Sequence, residues 1–144
     1  MTASEILVVF DPGKTTGYAI FVGNDLVECG SFSLWDRVHE LLDHGAGPMP
    51  RVVYENVHAN TKAFDDSGIQ VIGVIRYVCQ LIGITPKQQS PVNLQGARKH
   101  YTLDIVGDRH ARDAIWHGAV ALKLRPGTLR VLLPEVKEAL ICRR

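Results

Sequence analysis

The chain has 144 residues, 46% of them hydrophobic and 22% charged, with a formal net charge of +1. This composition is typical of a globular protein and excludes disordered and collagen-like chains. No apolar run reaches the roughly eighteen residues that a membrane span needs, since Gln70, Arg76 and Gln80 interrupt the longest one. The length suits one domain, residues 1–144.

Cysteine usage and charge distribution narrow the class of protein further. Cys29, Cys79 and Cys142 show neither metal-ligand spacing nor an even disulfide set. This cysteine usage predicts a reducing compartment. The segment before the first apolar run is not basic, so a secretory signal is not expected, and we predict a cytoplasmic protein. Residues 96–144 carry ten basic and five acidic side chains, whereas residues 1–95 carry six and ten. A basic C-terminal third suits contact with nucleic-acid phosphates, although charge alone favours a solvated charged face.

Apolar periodicity and turn signals predict a mixed α/β fold in the order βββαβαβα, with helices on both faces of a five-stranded sheet. Three turn-joined strands favour an antiparallel meander. The fourth strand follows a helix and should therefore run parallel to the first. We expect strands at 5–10, 17–22, 26–33, 51–55 and 84–88 and helices at 34–44, 67–83, 91–100 and 109–123.

Two segments have an unusual apolar pattern. The helix over 67–83 is apolar on nearly all sides, so it must be covered on two sides. One side suits the sheet, and the other suits either a partner chain or the interior of one monomer. The tail, residues 125–144, is predicted to be a basic C-terminal extension with a short apolar stretch at 129–133 and a helical one at 135–141.

Four residues have the chemistry of a metal site. Asp11 follows the first predicted strand and Glu55 ends the strand expected beside it, so their side chains should meet at one sheet edge. His110 and Asp113 lie three residues apart on one face of a predicted helix. Such oxygen-rich ligands suit Mg²⁺, or Mn²⁺ where imidazole takes part. Each residue alone also has an ordinary structural role; Asp11 before Pro-Gly, for example, suits a turn.

This residue set suits phosphodiester hydrolysis, in which a water must be activated and the leaving 3′-oxygen stabilised. Two metal ions held by shared carboxylates do both. The nearby Gly13-Lys14-Thr15 suggests a phosphate-binding P-loop, but that motif needs a glycine five residues before its Gly-Lys pair, and Val8 stands there. We therefore expect no P-loop.

Three motifs carry a resemblance to a known family. The run DPG at 11–13, followed by TGYA at 16–19, resembles the opening of RuvC-type Holliday junction resolvases, which have the RNase H-like fold. VYE at 53–55 resembles their second acidic site. HARDA at 110–114 resembles their last helix, where an acidic residue or histidine stands three before an aspartate. Order and rough spacing match over about residues 5–124, and the small size resembles bacteriophage versions.

The resemblance implies an endonuclease that acts as a homodimer on four-way DNA junctions, with two Mg²⁺ ions per active site and Mn²⁺ as a substitute. It implies Asp11, Glu55, His110 and Asp113 as metal ligands or catalytic groups, with His110 as either a ligand or a general base. The homodimer is expected to form through the apolar helix 67–83. A bacterial host cytoplasm follows if the chain is phage-encoded.

The resemblance also suggests DNA contacts. In the family, the loop after the second acidic residue lies near the junction centre, where an aromatic can stack on a base, and Phe64 and Lys62 occupy this loop. The same sequence pattern suits Phe64 as a loop anchor. The family's lysine before the last helix is replaced here by Asn or Gln, and Arg98 or Lys99 can take its place from one turn later. Further candidate DNA contacts are Lys14, Arg109 and Arg112.

Other functions remain open on sequence alone. A broader endonuclease for Y-junctions, forks and flaps has the same residues as a strict resolvase. A DNA-junction-binding module with an inactive site would share the fold, although the intact acidic set argues against it. A phosphotransferase is disfavoured because actin-like kinases need two such domains around the nucleotide.

Overall fold

The computed structural model describes residues 5–56, 66–91, 103, 106–125 and 128–134, and the backbone of 137–141. The described part contains seven strands and three helices in the following bounds. The strands are β1 Ile6–Asp11, β2 Thr16–Val22, β3 Asp25–Phe32, β4 Arg51–Glu55, β5 Lys87–Gln89, β6 Leu129–Leu133 and β7 Lys137–Ile141. The helices are α1 Asp36–Leu42, α2 Ser67–Ile82 and α3 Arg109–Ala121. The helix expected at 91–100 lies almost entirely outside the described residues.

All seven strands form one mixed sheet in the order β5-β4-β1-β2-β3-β6-β7. β1, β2 and β3 form an antiparallel meander, and β4 pairs with β1 in parallel. β5 then pairs with β4 in parallel. The expected meander and the parallel return of the fourth strand are confirmed.

The sheet has two strands more than the five expected, because the C-terminal segment joins it. β6 pairs in parallel with the start of β3, and β7 pairs with β6 along its whole length. The helical prediction for 135–141 was wrong, since Lys137–Ile141 is a strand. Seven residues are too few for periodicity to separate helix from strand, and the unpaired edge of β6 favours the extended form.

Side chains alternate between two cores on opposite faces of the sheet, as strand geometry requires. On β1, Leu7 and Val9 face the core that α3 covers, whereas Val8 and Phe10 face the core that α1 and α2 cover. Helices therefore pack on both faces, as predicted. Among the described residues, no helix is long and apolar enough to cross a membrane.

Two glycines let α3 lie unusually close to the sheet. A Cβ on Gly17 of β2 would collide with the backbone carbonyl of His110, and a Cβ on Gly118 of α3 would collide with the Phe21 ring. The helix begins at Asp108, whose carboxylate accepts hydrogen bonds from the backbone N–H groups of His110 and Ala111 at 2.9 and 3.3 Å. This N-cap and the two close contacts fix both the start and the height of α3 over the sheet.

Candidate active site

Two acidic side chains meet where neighbouring parallel strands end. Phe10 of β1 pairs with Tyr54 of β4, so Asp11 and Glu55, the next residues, leave the sheet side by side. Asp11 forms a side-chain hydrogen bond with Glu55. The proximity predicted from the sequence for these two carboxyl groups is therefore present.

The pKa of Asp11 reflects the burial and the negative charge at this sheet edge. Burial is the main cause that raises its pKa, from 3.8 to about 9, and the hydrogen bond to Glu55 and the negative charges of Glu55 and Asp113 add to the shift. The charge of His117 acts in the opposite direction. A carboxyl group that keeps its proton near neutral pH indicates burial together with nearby negative charge.

Asp113 reaches this edge from α3. It is half-buried one turn into the helix, and its charge acts on Asp11 across the gap between helix and sheet. The close seating of α3 on Gly17 sets that gap. Two of the other three predicted residues, Glu55 and Asp113, therefore contribute negative charge that raises the pKa of Asp11.

His110 lies in the first turn of α3 and is half-buried. Its backbone is held at both ends, by the N-cap carboxylate of Asp108 and by the contact of its carbonyl with Gly17. Among the described residues, the groups that shift the pKa of Asp11 are Glu55, Asp113 and His117. The role of His110 as ligand or general base stays a prediction.

A second histidine, His117, belongs to this cluster and was missed by the sequence analysis. Its side chain is 0% exposed, its Nε2 lies 3.0 Å from Glu55 Oε2, and its Nδ1 lies 2.8 Å from Gln89 Oε1. His117 follows Asp113 by four residues and therefore lies on the same helix face. That spacing was the available signal, but the small and apolar neighbours of His117 made this part of the helix look like ordinary core.

The donor set has the chemistry that suits a hard divalent cation. Within the described residues, no three His, Cys, Asp or Glu side chains are grouped tightly enough to hold one ion as they stand. The hydrogen bond between Asp11 and Glu55 joins the two carboxyl groups directly. A cation that replaces the proton of Asp11 would relieve the repulsion among three carboxylates, and Asp11, Glu55 and Asp113 offer the oxygen ligands that Mg²⁺ prefers.

Some of the predicted DNA contacts can be placed. Lys14 and Arg109 are exposed, one in the turn after β1 and one at the first position of α3, and Arg112 is half-buried in the next turn. Lys14 therefore follows the strand that carries Asp11, and the two arginines share α3 with Asp113. The other four predicted contacts lie outside the described residues: Lys62, Phe64, Arg98 and Lys99.

The Gly13-Lys14-Thr15 segment has no P-loop architecture. It lies in the connection between the antiparallel strands β1 and β2, whereas a P-loop leads from a strand into a helix. The Thr16 hydroxyl donates to the Gly13 carbonyl at 3.2 Å, which closes this connection. The expectation that the segment is not a P-loop is confirmed.

Neither a protein-family model nor a curated protein sequence matches the chain. Its fold is nevertheless similar to that of solved RuvC structures. Thermus thermophilus RuvC in complex with a Holliday junction substrate matches with a TM-score of 0.55 and 14% identity, over 78% of this chain and 88% of that one. A second structure of Thermus thermophilus RuvC matches with a TM-score of 0.50 and 16% identity, over 84% and 83%. The chain therefore has the RNase H-like fold of RuvC, as the sequence motifs suggested.

Proposed function

We propose that this chain is a divalent-metal-dependent endonuclease that resolves four-way DNA junctions. The observation that carries the proposal is the convergence of Asp11, Glu55 and Asp113 at one sheet edge of a fold that is similar to RuvC. The similar RuvC structure contains a Holliday junction substrate. At 14% identity the likeness concerns the fold, so the acidic cluster provides the independent support for the chemistry.

The chain's own residues prepare the site for phosphodiester hydrolysis. Asp11 and Glu55 would hold a metal ion in place of their mutual hydrogen bond, with the Asp11 proton released to solvent. Asp113 would complete the ligand set from α3, with His110 as a further ligand or as a general base. Two Mg²⁺ ions bound there would supply an activated water and stabilise the charge on the leaving 3′-oxygen. Buried, hydrogen-bonded carboxylates hold their positions better than exposed ones, which favours a preorganised site.

The proposal includes seven candidate DNA contacts. Lys14 follows β1, and Arg109 and Arg112 lie on α3, so all three are proposed as phosphate contacts of the strand end and the helix that carry Asp11 and Asp113. Lys62, Phe64, Arg98 and Lys99 remain proposed contacts on sequence grounds, with Phe64 as a base-stacking wedge.

A homodimer through α2 is part of the proposal. The inner side of this helix packs on the sheet, yet the outer side exposes Ile69, Tyr77 and Leu81 by 48%, 62% and 62%. Gly73 lies between the first two, one turn from each, and leaves open space at its Cβ position. Exposed apolar side chains of this size along one helix are typical of a protein interface.

Cleavage of synthetic DNA tests the proposal. A labelled four-way junction, a linear duplex, a Y-fork and a flap are incubated with Mg²⁺, Mn²⁺ or chelator. Wild type is compared with Asp11→Asn and with the matched control Asp36→Asn, which changes an exposed carboxylate at the start of α1, on the opposite face of the sheet. We expect paired, near-symmetric nicks in the junction that require metal and Asp11 but not Asp36.

Each other outcome points to a named alternative. Equal or better cutting of forks and flaps, still dependent on Asp11, would make the chain a general branched-DNA endonuclease with the same chemistry. Tight junction binding without cutting under any metal would make it a binding module. Cutting that survives Asp11→Asn would overturn the assignment of the site.

A further inference from the structure

A buried histidine connects the helix and the two strands that form the candidate site. His117 comes from α3, Glu55 ends β4, and Gln89 ends β5. One ring nitrogen of His117 lies 3.0 Å from the Glu55 carboxylate and the other 2.8 Å from the Gln89 side chain. The imidazole is therefore hydrogen-bonded on both sides and completely enclosed.

We propose that His117, held by Gln89, is a positioning residue that fixes the Glu55 carboxylate in the orientation required for metal binding. The inference rests on the proposed function, because it concerns the same site. It adds two residues that the acidic motifs do not include, and it assigns them a role through Glu55 without contact with the ion or the DNA.

The local backbone makes this arrangement rigid. Glu55 and Gln89 are a register pair of the parallel strands β4 and β5, so their side chains leave the sheet next to each other. The backbone N–H of Asn56 donates to the Gln89 carbonyl at 2.8 Å, which fastens the strand ends just beyond that pair. His117 then closes the arrangement from the helix side.

The hydrogen-bond geometry defines what His117 does to Glu55. A carboxylate only accepts hydrogen bonds, so Nε2 of His117 is the donor in this contact. That bond occupies Oε2 and restricts rotation of the carboxylate, while the other oxygen, Oε1, has no part in it. A group that fixes a metal-binding carboxylate through one oxygen in this way typically contributes about ten- to a hundredfold to metal affinity.

His117 is a poor candidate for direct ligation or for base catalysis. Its side chain has no exposed surface, and both ring nitrogens face protein groups. An attacking water needs an accessible base, and an ion would have to displace the contact with Glu55. Positioning is the role that both contacts and the complete burial support together.

The test compares variants that keep or remove the donor. His117→Gln places an amide N–H about where Nε2 lies, whereas His117→Leu fills similar space without a donor. Gln89→Leu removes the outer contact at a half-buried position and serves as a second route if His117→Leu fails to fold. Mn²⁺ binding is measured by calorimetry on the full chain, folding by urea denaturation, and kcat and KM on the four-way junction.

We expect His117→Leu to weaken Mn²⁺ binding by about ten- to a hundredfold and to lower kcat with little change in KM. His117→Gln should restore most of the affinity, and Gln89→Leu should show a smaller loss in the same direction. Unchanged Mn²⁺ affinity in folded His117→Leu, or in Gln89→Leu where that variant alone folds, would overturn the inference. So would a His117→Gln variant that folds normally but binds as weakly as His117→Leu.

The wild type separates failure of the inference from failure of the proposed function. A wild-type chain that binds no Mn²⁺ and cuts no branched DNA overturns both. A wild-type chain that binds and cuts, alongside variants that match it, overturns only the positioning role of His117.

Discussion

At the residue scale, the folded protein favours the protonated form of the Asp11 carboxyl group, whereas metal binding requires the deprotonated form. Its burial, its hydrogen bond to Glu55 and the charge of Asp113 all favour the neutral acid. Folding is therefore less favourable in free energy because of Asp11, and a bound cation would remove part of this penalty. Strain of this kind, located at the reacting groups, is common where stability is exchanged for function.

A pH dependence of stability follows from this environment. The folded-state pKa of Asp11 lies above its unfolded value, so the folded protein binds the extra proton, and stability falls as pH rises through the interval between the two values. Asp11→Asn removes the titrating group. We expect it to raise the stability of the metal-free protein by about 1–3 kcal/mol at pH 8 and to flatten the decline.

Urea denaturation of both proteins in chelator at pH 5, 7, 8 and 9 measures this difference. Mg²⁺ should stabilise the wild type at pH 8 and have a much smaller effect on Asp11→Asn, because a ligand stabilises only the form that binds it. Parallel stability curves for the two proteins would contradict the electrostatic account of Asp11.

At the element scale, the position of α3 decides whether the third carboxylate reaches the site. Asp108 caps the helix; its burial raises its pKa, but hydrogen bonds from Ser31 and from the backbone N–H groups of Ala111 and His110 bring the net pKa below the ordinary value. The charged cap is therefore favoured at neutral pH. Gly17 and Gly118 then allow the helix to approach the sheet without a Cβ between them.

Gly17→Ala tests the importance of this approach. The new methyl group would collide with the backbone carbonyl of His110, so α3 must move outward and take Asp113 with it. We expect a loss of about 1–3 kcal/mol in stability and a fall in cleavage of about tenfold or more. The measurements are thermal unfolding and single-turnover cleavage.

Gly107→Ala is the matched control for this prediction. It makes the same change just before α3, where a Cβ meets nothing within 4 Å. Its stability and cleavage should remain near those of the wild type. Equal losses in the two variants would indicate that glycine flexibility, and not close packing, explains the effect of Gly17→Ala.

At the scale of the whole molecule, the two sides of α2 differ in burial. Val71 and Ile75 are buried against the sheet, whereas Tyr77 and Leu81 are mostly exposed. From the sequence, this helix was predicted to be apolar on nearly all sides. In the part of the chain that the structure describes, the inner side of the helix is covered and the outer side keeps these exposed apolar residues.

We expect Tyr77→Glu to weaken self-association by about tenfold or more, because a charge replaces a large apolar contact in the proposed interface. Sedimentation equilibrium measures the association, and Leu34→Glu is the control, since Leu34 is 71% exposed in the segment before α1. Paired cutting of the junction should decrease as the population of dimer decreases, while Mn²⁺ binding should persist. A wild-type chain that is monomeric at tens of micromolar would contradict the dimer.

Much of the fold could be predicted from local signals. Strand β4 was predicted with its observed bounds, and α2 and α3 within two residues at each end, because long apolar periodicity and turn residues are local properties. The meeting of Asp11 and Glu55 followed from chain direction alone, since strands that a helix connects run parallel. The helical prediction for Lys137–Ile141 was wrong because its conformation depends on pairing with β6, which is a non-local contact.

The sequence by itself determined which chemistry is available: three carboxylates and their order on strands and a helix. Only the tertiary structure decided how they are held. His117 and Gln89 are 28 residues apart and the histidine lies 62 residues from Glu55, so no local pattern links them. Their contact depends on the register of β5 against β4 and on the height of α3 above the sheet, and both are set by packing between elements that are distant in the chain.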